Sequence, residues 1–331
     1  MAQTLDATME RYARRADRAL DRYLSVGRHP GLREAMRWTP MAGGKRLRPV
    51  LAMMVGEAVA GARAATAALP VGVALEVIHN FTLVHDDIMD RSPMRRGRPS
   101  VHKKWGDATA INAGDALFAR AFEVALDAPG PDAVRVELVG ELASMVRGIA
   151  EGQQMDMDFE RARVVTRGEY LGMVELKTSL MFSTGAYCAA RVAGAAPAVA
   201  EGLREYGRRT GTSFQVQDDI LDCFADQAAL GKPVGRDIRN GKRTLLAIDT
   251  LGSLKGAKLR RFRAAYGRQA APAAAVRAAV ALMEGCGALD RARRFARREG
   301  ERAVRELDAL PPSPARDRLE AFVYFMTSRT V

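Results

Sequence analysis

The chain has 331 residues, 48% hydrophobic and 27% charged, which is ample for a large core and leaves no low-complexity tract. Its formal net charge is +12, from 51 basic against 39 acidic residues, which narrows its partners to nucleic acid, a membrane surface or an anionic substrate. Cys188, Cys223 and Cys286 are far apart and form no C-x-x-C pair, so they suit a reducing cytosol rather than a disulfide framework.

The elements read as helices throughout. Residues 4–24 carry an apolar stripe of Leu5, Met9, Tyr12, Ala16, Ala19, Leu20, Tyr23 and Leu24. His29-Pro30-Gly31 breaks that helix, and a short helix over 31–38 leads to Gly43-Gly44. The next helix, about 48–61, starts at Pro49, where a missing N–H costs little, and is apolar nearly all round, which predicts deep burial. A helix over 69–91 follows, then a polar loop over 92–106. Further helices are expected at 107–126, 132–150, 167–193 and 197–224, then a glycine-containing loop over 225–241. The chain continues with helices at 243–252, 255–266, 271–284, 287–307 and 313–328. With no alternating strand pattern, no repeat and no Pro/Gly/Ser-rich linker, the expectation is an all-α fold in a single domain over residues 1–331. The N-terminus lacks a basic and an apolar region of the export type. No run is expected to reach the roughly 18 uncharged apolar residues of a spanning helix. The expected location is the cytoplasm.

Two stretches carry the chemistry. His85-Asp86-Asp87-Ile88-Met89-Asp90 closes the 69–91 helix, and Gln217-Asp218-Asp219-Ile220-Leu221-Asp222 repeats the pattern near the end of the 197–224 helix. Residues four apart share a helix face, so Asp86 projects with Asp90 and Asp218 with Asp222, with Asp87 and Asp219 beside them. One D-D-x-x-D alone is common on a solvated face. Two copies, each behind an apolar run and ahead of a basic loop, predict a pair of oxygen-ligand sets for hard divalent cations, with Mg²⁺ shared with substrate phosphates. Lys45 and Arg48 lie in a Gly-Gly loop entering a helix, which is an anion-binding arrangement. Lys177 is a charge in a mostly apolar helix and needs a partner.

These residues, with Arg95-Arg96-Gly97, Gly114-Asp115, Gly152-Gln153, Lys177-Thr178, Phe214-Gln215, Gly231-Lys232 and Gly241-Lys242, resemble the polyprenyl diphosphate synthase family nearly end to end. The final 75 or so residues carry no recognised motif. The resemblance implies the type I isoprenoid synthase helical bundle and a trans-prenyltransferase that condenses isopentenyl diphosphate with an allylic diphosphate. It implies that Lys45, Arg48, His79 and Arg96 bind isopentenyl diphosphate. It further implies that Arg95, Lys177, Thr178, Gln215, Lys232 and Lys242 contact the allylic diphosphate. All six aspartates would be metal ligands, with roughly three Mg²⁺ ions per site. Asp86, Asp90, Lys177 and Asp218 would be the catalytic set. The family is usually homodimeric.

Chain length is read from the residues before Asp86. Phe81 and Thr82, with an uninterrupted D-D-x-x-D, resemble synthases that stop at C20. By spacing alone Thr82 lies near the Asp86 face, while Phe81 lies about 140° away. C15 products, and C25 or longer ones, stay open. A terpene cyclase is disfavoured because it needs no second diphosphate site. A regulatory subunit is disfavoured because such a chain would lose aspartates. Nucleic acid is not an expected partner, since the basic residues are not clustered. A weak attraction to an anionic membrane surface is compatible with the charge.

Overall fold

The computed structural model describes residues 4–224 and 235–328, and these are helical apart from connecting loops and one short hairpin. Contacts group them into two compact units. Unit 1 holds the described residues up to Val146, with Thr184–Arg204 and Leu307–Leu319. Unit 2 holds Arg147–Ser183, Glu205–Glu306 and the described residues from Glu320 on.

In unit 1, α1 (Leu5–Leu24) and α2 (Pro30–Trp38) precede α3 (Leu47–Ala67) and α4 (Leu69–Met89). Helix α4 is the centre: it packs on α3 and on α6 (Asp107–Leu126). Val71, Val73, Leu75, Val77 and Ile78 are buried on it, as are Val50, Leu51, Met53, Met54 and Val55 on α3. Such all-round burial explains why neither helix shows a narrow apolar stripe. Helix α3 runs past the expected end, with a break at Ala60 and Gly61, where Gly61 takes φ 78°. Contrary to the expectation, α3 contains an 18-residue window long and apolar enough to cross a membrane (mean hydropathy 1.3), of which 56% is buried in the protein. The expected loop over 92–106 holds a hairpin, β1 (Met94–Arg95) paired with β2 (Arg98–Pro99), and a short helix α5 (Val101–Trp105). Gly97, at φ 73°, makes the turn.

Helix α7 (Asp132–Arg161) continues 11 residues beyond its expected end at 150. In unit 2, α8 (Arg167–Val174) opens with a capping box between Thr166 and Glu169. A π-helical turn, Glu175–Ser179, interrupts the expected single helix before α9 (Leu180–Val192) and α10 (Pro197–Phe224). Then come α11 (Arg236–Asn240), α12 (Leu245–Ser253), α13 (Gly256–Arg263), α14 (Ala273–Gly285), α15 (Ala288–Glu306) and α16 (Pro314–Ser328). Their core includes Tyr170, Met173, Val216, Ile220, Leu245, Phe262, Val276 and Leu289. Residues 225–234, including Lys232, lie outside the described part.

Candidate active site

Unit 1 gathers cations around a neutral histidine. Arg46, just before α3, is buried in left-handed backbone at φ 50°, a conformation that costs a non-glycine residue roughly 1–2 kcal/mol. Its guanidinium holds it there. It donates to Glu76 Oε1 at 2.9 Å, to Asp17 Oδ1 at 2.7 Å and to the Pro40 carbonyl at 2.6 Å. Glu76 is buried with it, so the pair fixes the loop from which exposed Lys45 and partly buried Arg48 project. Arg96, also left-handed at φ 50°, donates to the Thr39 carbonyl at 3.1 Å and to Asn80 Oδ1 at 3.4 Å. A Cβ on Gly44 would lie 3.3 Å from the Arg96 guanidinium, so Arg96 and the Gly-Gly loop are neighbours. Burial, then the positive fields of Arg48, Arg96, Arg95 and Arg46, hold the His79 pKa well below its ordinary value. His79 is therefore a neutral hydrogen-bonding group within an arginine cluster, the arrangement an oxyanion-rich ligand requires.

The first aspartates sit at the C-terminal end of α4, with Asp90 as its C-cap and no basic residue in the last turn. A helix C-terminus already carries partial negative charge, so carboxylates there are doubly unfavourable without a cation. The two types of position differ. Asp87 is buried, and Arg95 Nε donates to both of its oxygens at 3.0 and 3.2 Å, so it works as a brace for the hairpin loop. Asp86 is partly buried and Asp90 exposed.

Beside this cluster, Phe81 contacts Phe118 of α6 with ring centroids 5.4 Å apart, and Phe118 contacts Phe122 at 5.1 Å. Thr82 donates its hydroxyl to the His79 carbonyl at 2.8 Å. His85 and His102, to which the spacing gives no role, are structural. The His85 ring lies edge-on to Phe81 and over Gly114, where a Cβ would come within 2.2 Å of it. His102 Nδ1 lies 3.1 Å from Ser100 Oγ.

Unit 2 holds the second set, again near a helix C-terminus, on α10. Asp219 is buried like Asp87, but its partners are neutral. Tyr170 OH donates to Oδ2 and Gln215 Nε2 to Oδ1 at 2.9 Å, while Thr178 in turn donates to Gln215 Oε1 at 2.9 Å. Burial pushes the Asp219 pKa up to about 7, with Lys242 pulling down and Asp237 pushing up. Burial and Asp237 also raise Asp222, whose Oδ2 accepts the Asp237 N–H at 2.9 Å. Burial would lower Lys242, but Asp237, Asp219, Asp156 and Asp222 outweigh it and keep the lysine charged. Lys177 finds the partner its apolar helix demands in Asp156, which its ammonium contacts directly. That approach needs Gly152: a Cβ there would meet the Lys177 backbone nitrogen at 2.6 Å.

Of the expected metal ligands, then, Asp87 and Asp219 have both oxygens committed to protein donors. Among the described residues no three His, Cys, Asp or Glu side chains form a ready-made metal cluster. The donor set is all oxygen and suits a hard cation completed by substrate phosphates. Sequence reasoning missed Arg46, Glu76, Asn80, Asp156 and Tyr170. Asp156 was within reach, one helical turn after Gly152 on α7.

Comparisons with known proteins identify the family. A family model described as polyprenyl synthetase matches residues 29–283. A geranylgeranyl diphosphate synthase of Methanosarcina mazei is 42% identical over 330 residues, 99% of each chain. A geranylfarnesyl diphosphate synthase of Natronomonas pharaonis is 36% identical over 94% of each chain. The crystal structure of geranylgeranyl pyrophosphate synthetase from Pyrococcus horikoshii superposes with a TM-score of 0.90 at 35% identity, covering 98% of this chain and 99% of that one. This all-α chain has the isoprenoid synthase fold, belongs to the polyprenyl synthetase family and is a prenyltransferase.

Proposed function

We propose that the chain condenses isopentenyl diphosphate with allylic diphosphates of C5 to C15 and releases geranylgeranyl diphosphate, C20. The observation that carries this reading is the arrangement of charge. Carboxylates stand at two helix C-termini, where only a cation stabilises them, and unit 1 adds an arginine cluster around neutral His79. Lys45, Arg48, His79 and Arg96 bind isopentenyl diphosphate. Asp86, Asp87, Asp90, Asp218, Asp219 and Asp222 would hold Mg²⁺, roughly three ions, with diphosphate oxygens completing the ligand set. Bound Mg²⁺ supplies Lewis-acid neutralisation of the leaving diphosphate.

The protein's own groups do the rest. Arg95, Lys177, Thr178, Gln215, Lys232 and Lys242 orient the allylic diphosphate, and their N–H and O–H groups stabilise charge as its C–O bond breaks. The electron pair leaves with diphosphate, giving an allylic cation. The double bond of isopentenyl diphosphate attacks that cation and forms the new C–C bond. A proton is then lost to the released diphosphate, so the product is five carbons longer and no side-chain nucleophile is consumed.

The contact of Phe81 with Phe118, which in turn meets Phe122, supports an aromatic stop for the growing tail. The 36% identity to a geranylfarnesyl diphosphate synthase favours C25 as the second reading. We further propose that residues 1–331 act as one catalytic domain, supported by a family match that spans parts of both units. Homodimerisation is supported by exposed Ile111, Leu126 and Val136 on α6 and α7. A cytoplasmic location is supported by free cysteines at 188, 223 and 286, and weak membrane-surface attraction by the net charge of +12.

The test is a product assay with Mg²⁺, labelled isopentenyl diphosphate and C5, C10 or C15 primers, read by mass spectrometry. A C20 product supports the full reading, with Phe81→Ala expected to shift it to C25 or longer. A C25 product from the parent protein removes the Phe81 stop and keeps the reaction. No elongation from any primer removes the reaction itself.

A further inference from the structure

Unit 2 carries a cleft that the condensation does not use. It has a volume near 560 Å³ and is lined by Arg167, Arg291, Arg294, Arg297, Arg298 and Glu301. On α15 the spacing of 291, 294, 298 and 301 is three, four and three, which puts those side chains on one helical face. Arg167 comes from the first turn of α8.

The base of this cleft is built. Asp249 on α12, its side chain only 8% exposed, accepts from Arg167 Nη1 at 2.7 and 2.8 Å and from Arg291 Nε at 3.0 Å. Arg291 also donates to the Cys286 carbonyl at 3.1 Å and to Ser253 Oγ at 3.3 Å. One buried carboxylate and two neutral oxygens therefore fix two guanidinium groups. Arg297 is paired with Glu301 at 2.8 Å. Arg294 and Arg298 are exposed, and neither has an ion pair with any carboxylate among the described residues. Five guanidinium groups against Asp249 and Glu301 leave three net positive charges at one concave place.

Stacked like charges one helical turn apart are unfavourable by themselves, and guanidinium forks match phosphate oxygens in pairs. We propose that this cleft is a binding site for a phosphate-class polyanion, seated between Arg294 and Arg298 and backed by Arg167 and Arg291. Free di- or triphosphate compounds and lipid phosphate headgroups share that chemistry. The site stands independently of the prenyl-transfer reading, because none of its residues belongs to the substrate set.

The experiment compares the full-length protein with Arg294→Gln/Arg298→Gln and with a control, Arg277→Gln/Arg305→Gln. The control removes two other exposed arginines that also have no ion pair among the described residues. Inorganic diphosphate is titrated calorimetrically in chelator without divalent cations. Sedimentation with phosphatidic acid vesicles and with phosphatidylcholine vesicles forms the second arm. The expected result is that the cleft variant alone loses one binding event per chain, or weakens at least about tenfold, in one arm. Loss in the diphosphate arm assigns a free polyanion, and loss confined to phosphatidic acid vesicles assigns a headgroup. Identical behaviour of parent and cleft variant in both arms overturns the site. Equal loss in the control overturns it too, by reducing the effect to net charge. Elongation activity should be unchanged in both variants, which separates this test from that of the reaction.

Discussion

The two aspartate helices carry the same motif but hold it in different ways. At the end of α4 the buried central carboxylate, Asp87, is braced by a charged partner, Arg95, and the surroundings are cationic. At the end of α10 the buried central carboxylate, Asp219, is braced by the neutral Tyr170 and Gln215, and the surroundings are mostly acidic, with Lys242 as counter-ion. Identical sequence patterns thus give one region built on ion pairs and another built on hydrogen bonds. The outer aspartates of both are left facing the same chemical need for a cation.

The contrast can be broken most forcefully at the base of the ion-pair region. Glu76→Ala leaves Arg46 buried and strips its main counter-charge, and should cost about 3–5 kcal/mol in a denaturant titration. A loss under about 1 kcal/mol would mean that Asp17 alone holds the loop. The shared chemistry is tested next. Asp86→Asn and Asp218→Asn should each lower kcat for elongation by roughly a hundred- to a thousand-fold. A large inequality between them would show that the regions differ in chemistry as well as in support.

Arg95→Gln should destabilise by about 2 kcal/mol, discounted for the partial exposure of Arg95, and the difference from the parent should shrink in high salt. Tyr170→Phe should cost about 1–2 kcal/mol with no such salt dependence. Equal salt responses would erase the distinction.

The smallest effect concerns His79. Its pKa is depressed in the folded protein, so below the ordinary histidine value the unfolded chain binds a proton that the folded one refuses. Its contribution is present above about pH 6.5 and is lost as pH falls toward the folded value. His79→Gln should therefore flatten the acid limb of the stability curve, as read from thermal melts across pH 5 to 7. An unchanged limb would remove His79 from the arginine field.

Much of this was legible in the sequence because its strongest signals are local. Apolar runs bounded by Pro and Gly gave α6 and α10 at their observed limits. The outer aspartates followed from helical spacing, and Lys177 from its need for a partner. What escaped depends on contacts between distant residues. Helix α7 is expected to end near 150, yet the turns beyond that point carry Gly152 and Asp156 against Lys177. Nothing in the local sequence marks the Tyr170 hydroxyl as the partner of Asp219. Nothing in the local sequence separates Arg46 from Lys45 and Arg48; its left-handed backbone and buried partners do. The hairpin over 94–99 is too short for an alternating pattern to register.

The π-helical turn at Glu175–Ser179 sets a rule for which insertions and deletions this chain can tolerate. Before it, Tyr170 meets Asp219; within it, Thr178 meets Gln215 and Ser179 Oγ lies 2.9 Å from Thr212 Oγ1, all on α10. A π turn contains one residue more than an α turn accommodates, so deleting a single residue here would restore α geometry and swing one side of the segment by about 100° against the other. Either Tyr170 or the Thr178–Ser179 pair would then miss its partner. Substitutions can be absorbed at several of these positions, but the number of residues between Tyr170 and Thr178 cannot change without giving up one of the two attachments.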